Sequence, residues 1–387
     1  MTSTASVRYH ALDVFRGATV ALMILVNNPG SWAHIYAPLE HAPWHGCTPT
    51  DLVFPFFLFA VGNAMSFVMP RLQQAGASAF WSKTLRRTAL IFGIGLLLNW
   101  APFVKYDAEG HLVPKLLSQL RILGVLQRIA LCYFLASVII WYGRTKGSFV
   151  FAAVILLLYW ALCLLLGTPG DPFSMEGFFG THLDRAVLGG AHMYHGEGTD
   201  FDPEGLGSTL PAVGNVIFGY LVGEYISQKG KNWEMLANLF VAGVAMTLTG
   251  YLWDMSFPIN KKIWTSSYVL YTAGLATLTI ATLVWAIEFH GRKGAWSRFF
   301  EVFGKNPLFI FAFSAIVVKS YGLFRIADGT NADGVPVYKG LGAWMYDHLF
   351  SPTFGALNGS LMFAIAHIIV FWMICVWLDR KRIYIKV

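Results

Sequence analysis

Charge is scarce in this chain: Asp, Glu, Lys and Arg supply only 13% of its 387 residues, about half the share usual in soluble domains. That shortage excludes a surface made for water on every side. Cysteine is scarce too. The four present form no CxxC pair; Cys132, Cys163 and Cys375 sit inside apolar runs and Cys47 stands alone near a polar stretch. Neither a disulfide framework nor a cysteine zinc site is expected. No internal repeat interrupts the chain, which excludes a solenoid and leaves a single domain over 1–387. Acidic groups are outnumbered, 21 against 28 Lys and Arg. Membrane topology and anionic lipid account for that excess, so nucleic-acid binding is not supported.

What the chain has instead is apolar surface, 56% of residues with 16% aromatic. An α-helix needs about 20 apolar residues to cross the hydrocarbon layer. Ten segments qualify, near 15–32, 52–70, 86–101, 120–142, 148–166, 208–226, 236–254, 265–288, 301–322 and 357–378. The expected fold is an all-α polytopic membrane bundle of about ten spans in the lipid bilayer. The ninth segment is interrupted by Lys305, Asn306, Pro307 and Lys319. The start of the chain lacks a signal-peptide pattern, so the first helix is expected to be retained. Lys and Arg crowd the short connections on one face, from Arg8 and Arg16 through Lys83, Arg86, Arg87, Arg144, Lys146, Arg292 and Lys293 to the 380–386 tail with Lys386. The positive-inside bias therefore puts both termini in the cytoplasm.

Potentially reactive residues collect in the longer connections on the other face. The stretch 40–62, EHAPWHGCTPTDLVFPFFLFAVG, places His41, Trp44 and Asp51 just before a strongly apolar span, and ionisable groups at such a boundary point to chemistry. His45 and Cys47 add no fourth matching ligand, so no metal is expected. The first span ends in Asn27, Asn28, Pro29 and Gly30, a combination that opens a helix and frees backbone groups toward a cavity. In RILGVLQRIALCYF, Arg121 and Arg128 are seven apart with Gln127 beside them. Helical geometry would point both arginines into the bundle, onto a substrate or locked to Asp51, Asp202 or Glu204. In FDPEG, Asp202 suits an N-cap and Pro203 the first helical position. Asn260, Lys261 and Trp264 fit a sugar platform, with Trp264 as an interfacial anchor the ordinary alternative.

Five ordered blocks, ALDVFRGATVALMILVNNPGSW, HAPWHGCTPTDLVFPFFLF, RILGVLQRIALCYF, FDPEGLGSTLPAVGNVIFGYLVG and PINKKIWTSSYVLYTAG, resemble the transmembrane heparan-alpha-glucosaminide N-acetyltransferase family and its bacterial glucosamine N-acetyltransferase relatives. The resemblance covers almost the whole membrane core. The large lumenal N-terminal domain of the animal members has no counterpart in it, as in the bacterial relatives, and a bacterial inner membrane is the expected location. The resemblance implies acetyl transfer from acetyl-CoA to the amine of a glucosamine or terminal glucosaminide, and a homodimer. It matches the family's active-site histidine to His41 and its active-site asparagine to Asn27, with Asn27 or Asn28 left to face the pocket.

Those residue types suit the reaction. Amine attack on a thioester needs a base, which His41 can be near neutral pH, and a donor for the developing oxyanion, which an Asn amide can be. Asp51 would orient the imidazole if the loop folds back, and His41 could instead carry the acetyl group transiently. Lys83, Arg86, Arg87, Arg144, Lys146, Arg292 and Lys293 are candidates for the CoA phosphates. The other classes weighed are an amino-sugar or organic-anion transporter and an O-acyltransferase acting on a glycan or lipid. No matched pair of interrupted helices marks a transporter repeat.

Overall fold

The computed structural model describes residues 9–107, 109–332 and 334–385; Arg8 and Lys386 lie outside the described residues. Long helices form where apolar residues run uninterrupted, because a backbone amide in lipid finds partners only along its own helix. In chain order these are α1 (His10–Asn27), α2 (Val53–Ala75), α3 (Ala77–Trp100), α4 (Val125–Leu166), α5 (Phe179–Leu188), α6 (Leu206–Lys229), α7 (Trp233–Trp253), α8 (Ser266–Val284), α9 (Ala295–Lys305), α10 (Pro307–Ser320), α11 (Leu341–Met345), α12 (Ser351–Phe354) and α13 (Ala356–Arg380). The protein is an all-α polytopic membrane bundle.

Among the described residues seven helices are long and apolar enough to cross a membrane, or eight if α9 and α10, bent by 82°, form one span. Two features separate this count from ten. The 42-residue α4 counts once although Arg144, at φ 50°, ψ −158°, breaks it into the two expected segments. The other is α3, 24 residues long, whose first half carries Lys83, Arg86 and Arg87. Boundaries also move, two of them beside the site described below. α1 ends at Asn27 rather than residue 32, because Pro29 disfavours helical backbone at Asn28; Asn28 turns its side-chain amide back to the Ile24 carbonyl at 2.7 Å. α4 begins at Val125, not 120.

Both described chain ends lie at one end of the bundle. The Ala11 amide donates to Glu288 at 3.2 Å and Arg16 Nε to the Gly304 carbonyl at 2.8 Å, while Lys305 pairs with Asp379 at 2.9 Å. The opposite end carries two small hairpins in connections expected as plain loops, β1 (Val104–Tyr106) with β2 (Leu112–Pro114) and β3 (Arg325–Thr330) with β4 (Pro336–Gly340). Arg325 joins them, its guanidinium 4.7 Å from the Tyr106 ring centre and 4.4 Å from that of Tyr338.

The core is tight where α2 crosses α6. A Cβ on Gly62 would lie 1.8 Å from the Val216 carbonyl oxygen, and one on Gly219 2.0 Å from that of Phe59. Small residues allow membrane helices to pack backbone to backbone. Gly219→Ala should therefore push α2 away and cost about 1–3 kcal/mol by overpacking, read as a lower melting temperature in detergent. An unchanged melting temperature would show that this crossing yields without strain.

Candidate active site

At the end opposite the chain termini, α1, α2, α4 and α10 enclose a cavity of about 360 Å³ that also touches the connections near residues 41, 194–204 and 261–264. Its mouth is polar, with Asn27, His41, Asp51, Arg121, Tyr194, Glu197, Glu204, Lys261 and Lys262. Its throat is apolar: Met23 and Val26 from α1, Phe54 and Phe57 from α2, Val125 and Ile129 from α4, and Phe311 from α10. Each pair is three or four residues apart, the spacing that puts side chains on one helical face.

The mouth is organised around Asp51. A 3₁₀ turn, Pro49–Leu52, leads into α2 and is closed by a capping box between Thr48 and Asp51. One Asp51 oxygen, Oδ2, accepts from the Ala42 amide at 3.0 Å, the Thr48 amide at 3.0 Å and the Thr48 hydroxyl at 3.1 Å. The other, Oδ1, is left for His41 Nδ1 at 2.7 Å. Asp51 is 1% exposed and His41 44%. A carboxylate accepts only, so the Nδ1 hydrogen faces Asp51, and in the neutral ring the lone pair is then on Nε2. Lys261 closes the group, its Nζ 3.0 Å from His41 Nδ1, 3.4 Å from Nε2 and 3.3 Å from Asp51 Oδ1. Burial pushes the Lys261 ammonium below the usual lysine range, and the Asp51 charge offsets only part of that.

The rim is held by ion pairs. Arg121 binds Asp202 at 2.6 Å and Glu204 at 2.5 Å, and Lys262 binds Glu197 at 2.6 Å. Burial works against the Arg121 charge, but the Glu204 and Asp202 carboxylates outweigh it and raise the arginine above its ordinary value. Trp264 is 1% exposed and forms part of the wall. It takes φ +54°, and its indole donates to Asn215 at 3.0 Å. Left-handed backbone at a bulky residue persists only where surrounding contacts hold it.

Asn27 lines the cavity, whereas Asn28 is buried with its amide on its own helix. Several expectations need correction. Arg121 and Arg128 share no helical face, because residues 120–124 are extended, held by Asn99 Nδ2 on the Arg121 carbonyl at 2.9 Å and by the Ile122 amide on His192 at 3.0 Å. Arg128 pairs with none of the expected carboxylates; it bonds the Gly205 carbonyl at 3.2 Å and Ser208, and lies 4.9 Å from the Trp264 ring centre. Gln127 packs against Gly95 and Gly124 instead of the cavity. Asp202 is not an N-cap, since α6 starts at Leu206 behind Gly205. Asp184, overlooked in the sequence, takes the Leu206 amide at 2.8 Å; burial lifts its carboxyl to about 7.

Trp44 does not face the cavity but donates to the Phe173 carbonyl at 2.9 Å and packs on Phe201. Asn260, fully buried, closes its own turn by accepting from the Ile263 amide at 3.1 Å, so it cannot serve as a sugar contact. Trp264 is no interfacial anchor. None of Lys83, Arg86, Arg87, Arg144, Lys146, Arg292 and Lys293 lines the cavity. They stand on the first turns of α3, at the break in α4 and after α8. The mouth residues Glu197 and Lys262 carried no sequence signal, because their pairing joins positions 65 apart.

Ionisable groups gathered at the mouth of an apolar cavity, within a bundle of helices long and apolar enough to cross a membrane, are the features of a polytopic membrane protein. Its sequence relationships specify which kind. The chain belongs to the family of the heparan-alpha-glucosaminide N-acetyltransferase catalytic region, whose model matches residues 8–250. That span takes in Asn27, His41, Asp51, Arg121 and Glu204; Lys261 and Trp264 lie beyond it. The chain is 26% identical over 344 residues to heparan-alpha-glucosaminide N-acetyltransferase of Homo sapiens and 26% over 343 residues to that of Mus musculus, each alignment covering 75% of this chain and 50% of the relative. The chain spans about half the length of the curated relatives it matches.

Proposed function

We propose that this protein is a transmembrane N-acetyltransferase that moves an acetyl group from acetyl-CoA to the amine of a glucosamine or terminal glucosaminide. The observation that carries this reading is His41 at the polar mouth of an apolar throat, with Nδ1 held by buried Asp51 and Nε2 turned to the cavity beside Lys261, where it can act as base. The throat between α1, α2, α4 and α10 suits a pantetheine arm, which is long, thin and largely uncharged. The thioester would then stop at His41 while the nucleotide stays toward the basic end of the bundle. Lys83, Arg86, Arg87, Arg144, Lys146, Arg292 and Lys293 are proposed for its phosphates. Positive-inside bias favours both termini in the cytoplasm of a bacterium, the donor arriving from within and the sugar from the opposite face. A homodimer is part of the proposal by family resemblance.

The test is transfer of labelled acetyl from acetyl-CoA in detergent to a panel of amino sugars and hydroxyl acceptors. N-acetylated glucosamine or glucosaminide supports the proposal, and products acetylated only on hydroxyls, or none, overturn it. Asn27 offers its amide to the developing oxyanion. Asn27→Ala should lower kcat by roughly 10²-fold, the usual cost of one such donor, with acetyl-CoA affinity little changed. A rate equal to wild type would remove Asn27 from the reaction.

A further inference from the structure

The thiolate of CoA is a poor group to release into an apolar throat unless a proton meets it. The nitrogen that attacks and the sulfur that leaves are bonded to the same tetrahedral carbon, so the base serving one and the acid serving the other must stand within a few ångströms. His41 Nε2 and Lys261 Nζ are 3.4 Å apart at the cavity mouth. The other cations there are committed. Arg121 is bonded to two carboxylates at 2.6 and 2.5 Å and Lys262 to Glu197 at 2.6 Å, and a guanidinium does not give up its proton in a protein. Lys261 meets its carboxylate, Asp51, only at 3.3 Å.

We propose that Lys261 is the general acid that protonates the departing CoA thiolate; this rests on the acetyltransferase reading above. The amine lone pair forms the C–N bond, the C–S bond breaks with its electron pair going to sulfur, His41 Nε2 takes the proton from nitrogen, and Lys261 Nζ gives one to sulfur. The imidazolium then returns its proton to the neutral Lys261 amine across the same 3.4 Å contact, and the enzyme is reset with N-acetylated acceptor and CoA thiol as products. Burial of Lys261 brings its proton affinity closer to that of a thiol, which lies near 8.5 for a free cysteine, and so eases the transfer.

Three variants of the full chain, assayed in detergent with acetyl-CoA, test this. Lys261→Met and Lys261→Arg should each lower kcat by roughly 10²-fold or more, with acetyl-CoA affinity close to wild type; the melting temperature should stay close to wild type for Lys261→Arg, which keeps a cation beside Asp51, and fall for Lys261→Met. Arg keeps the charge but not the transferable proton, so rescue by Lys261→Arg would show a merely electrostatic role and overturn the proposal. The wild-type kcat should fall on the alkaline side at a pH below the ordinary lysine value of about 10.4; a flat profile to that point overturns the proposal even if the variants fold badly. His41→Ala run in parallel keeps the readings apart. Its full activity would defeat the acetyltransferase mechanism itself, whereas an inactive His41→Ala beside an active Lys261→Arg defeats only the assignment of the acid.

Discussion

His41→Ala is expected to abolish acetyl transfer, lowering kcat by roughly 10³-fold or more, while the protein remains folded and still binds acetyl-CoA. General acid–base catalysis is worth about 10²–10⁴. Members of a cooperating group lose most of their joint effect when any one is removed, so the upper part of that range applies. Stability should change little because the ring is 44% exposed and contributes no core packing. Labelled transfer, together with a melting curve and donor binding on the same preparation, measures all three. Substantial turnover in a folded variant would remove His41 from catalysis.

Asp51 should behave differently, because it serves both the reaction and the fold. Its two oxygens accept from the Ala42 and Thr48 amides, the Thr48 hydroxyl and His41, and its own carbonyl accepts from the Tyr268 hydroxyl at 2.5 Å. Asp51→Ala keeps the Tyr268 bond but leaves the Ala42 and Thr48 amides, His41 and the Lys261 charge without this carboxylate, a loss expected to cost about 3–5 kcal/mol. Asp51→Asn keeps the shape but presents an amide that can donate to Nδ1, which puts the imidazole hydrogen on the wrong nitrogen. In the serine-protease triad the same change costs about 10⁴ in kcat, and a loss of roughly that order is expected here. Activity and melting temperature should fall together for Asp51→Ala, and activity more than stability for Asp51→Asn. If Asp51→Asn kept near-wild-type turnover, the tautomer argument would fail.

Residue by residue, legibility followed the range of the force involved. The run HAPWHG led to His41 through the family resemblance, and Asp51 stood out as an ionisable residue just before an apolar span, whereas the capping turn that holds it is seen only in the structure. Asn27 was legible as the last residue before a helix-breaking Asn–Pro–Gly, yet its distinction from Asn28 was not, since it depends on which side chain the Ile24 carbonyl captures. Arg121 was legible as an intramembrane-edge charge. Its partners were within the named alternatives, but its backbone was misjudged, because Asn99 on another helix holds residues 120–124 extended. Trp44, Gln127 and Asn260 were misplaced for a common reason: a polar or aromatic residue near a site has the same composition whether it turns inward or satisfies a neighbouring carbonyl. The hairpins around Arg325 left no signal, because their strands are only three to six residues long.

By itself the sequence determined the class of molecule, the bundle of apolar helices and the end at which polar chemistry gathers. Lipid offers a backbone no hydrogen-bond partner, so apolar length alone dictates helices and forces ionisable residues to the connections. Only the tertiary structure decided which of those residues meet. Lys261 reaches His41 across 220 positions, and the throat is walled by one face from each of four helices. Such contacts depend on distances of a few ångströms between elements, set by how helices such as α2 and α6 pack and not by any periodicity along the chain.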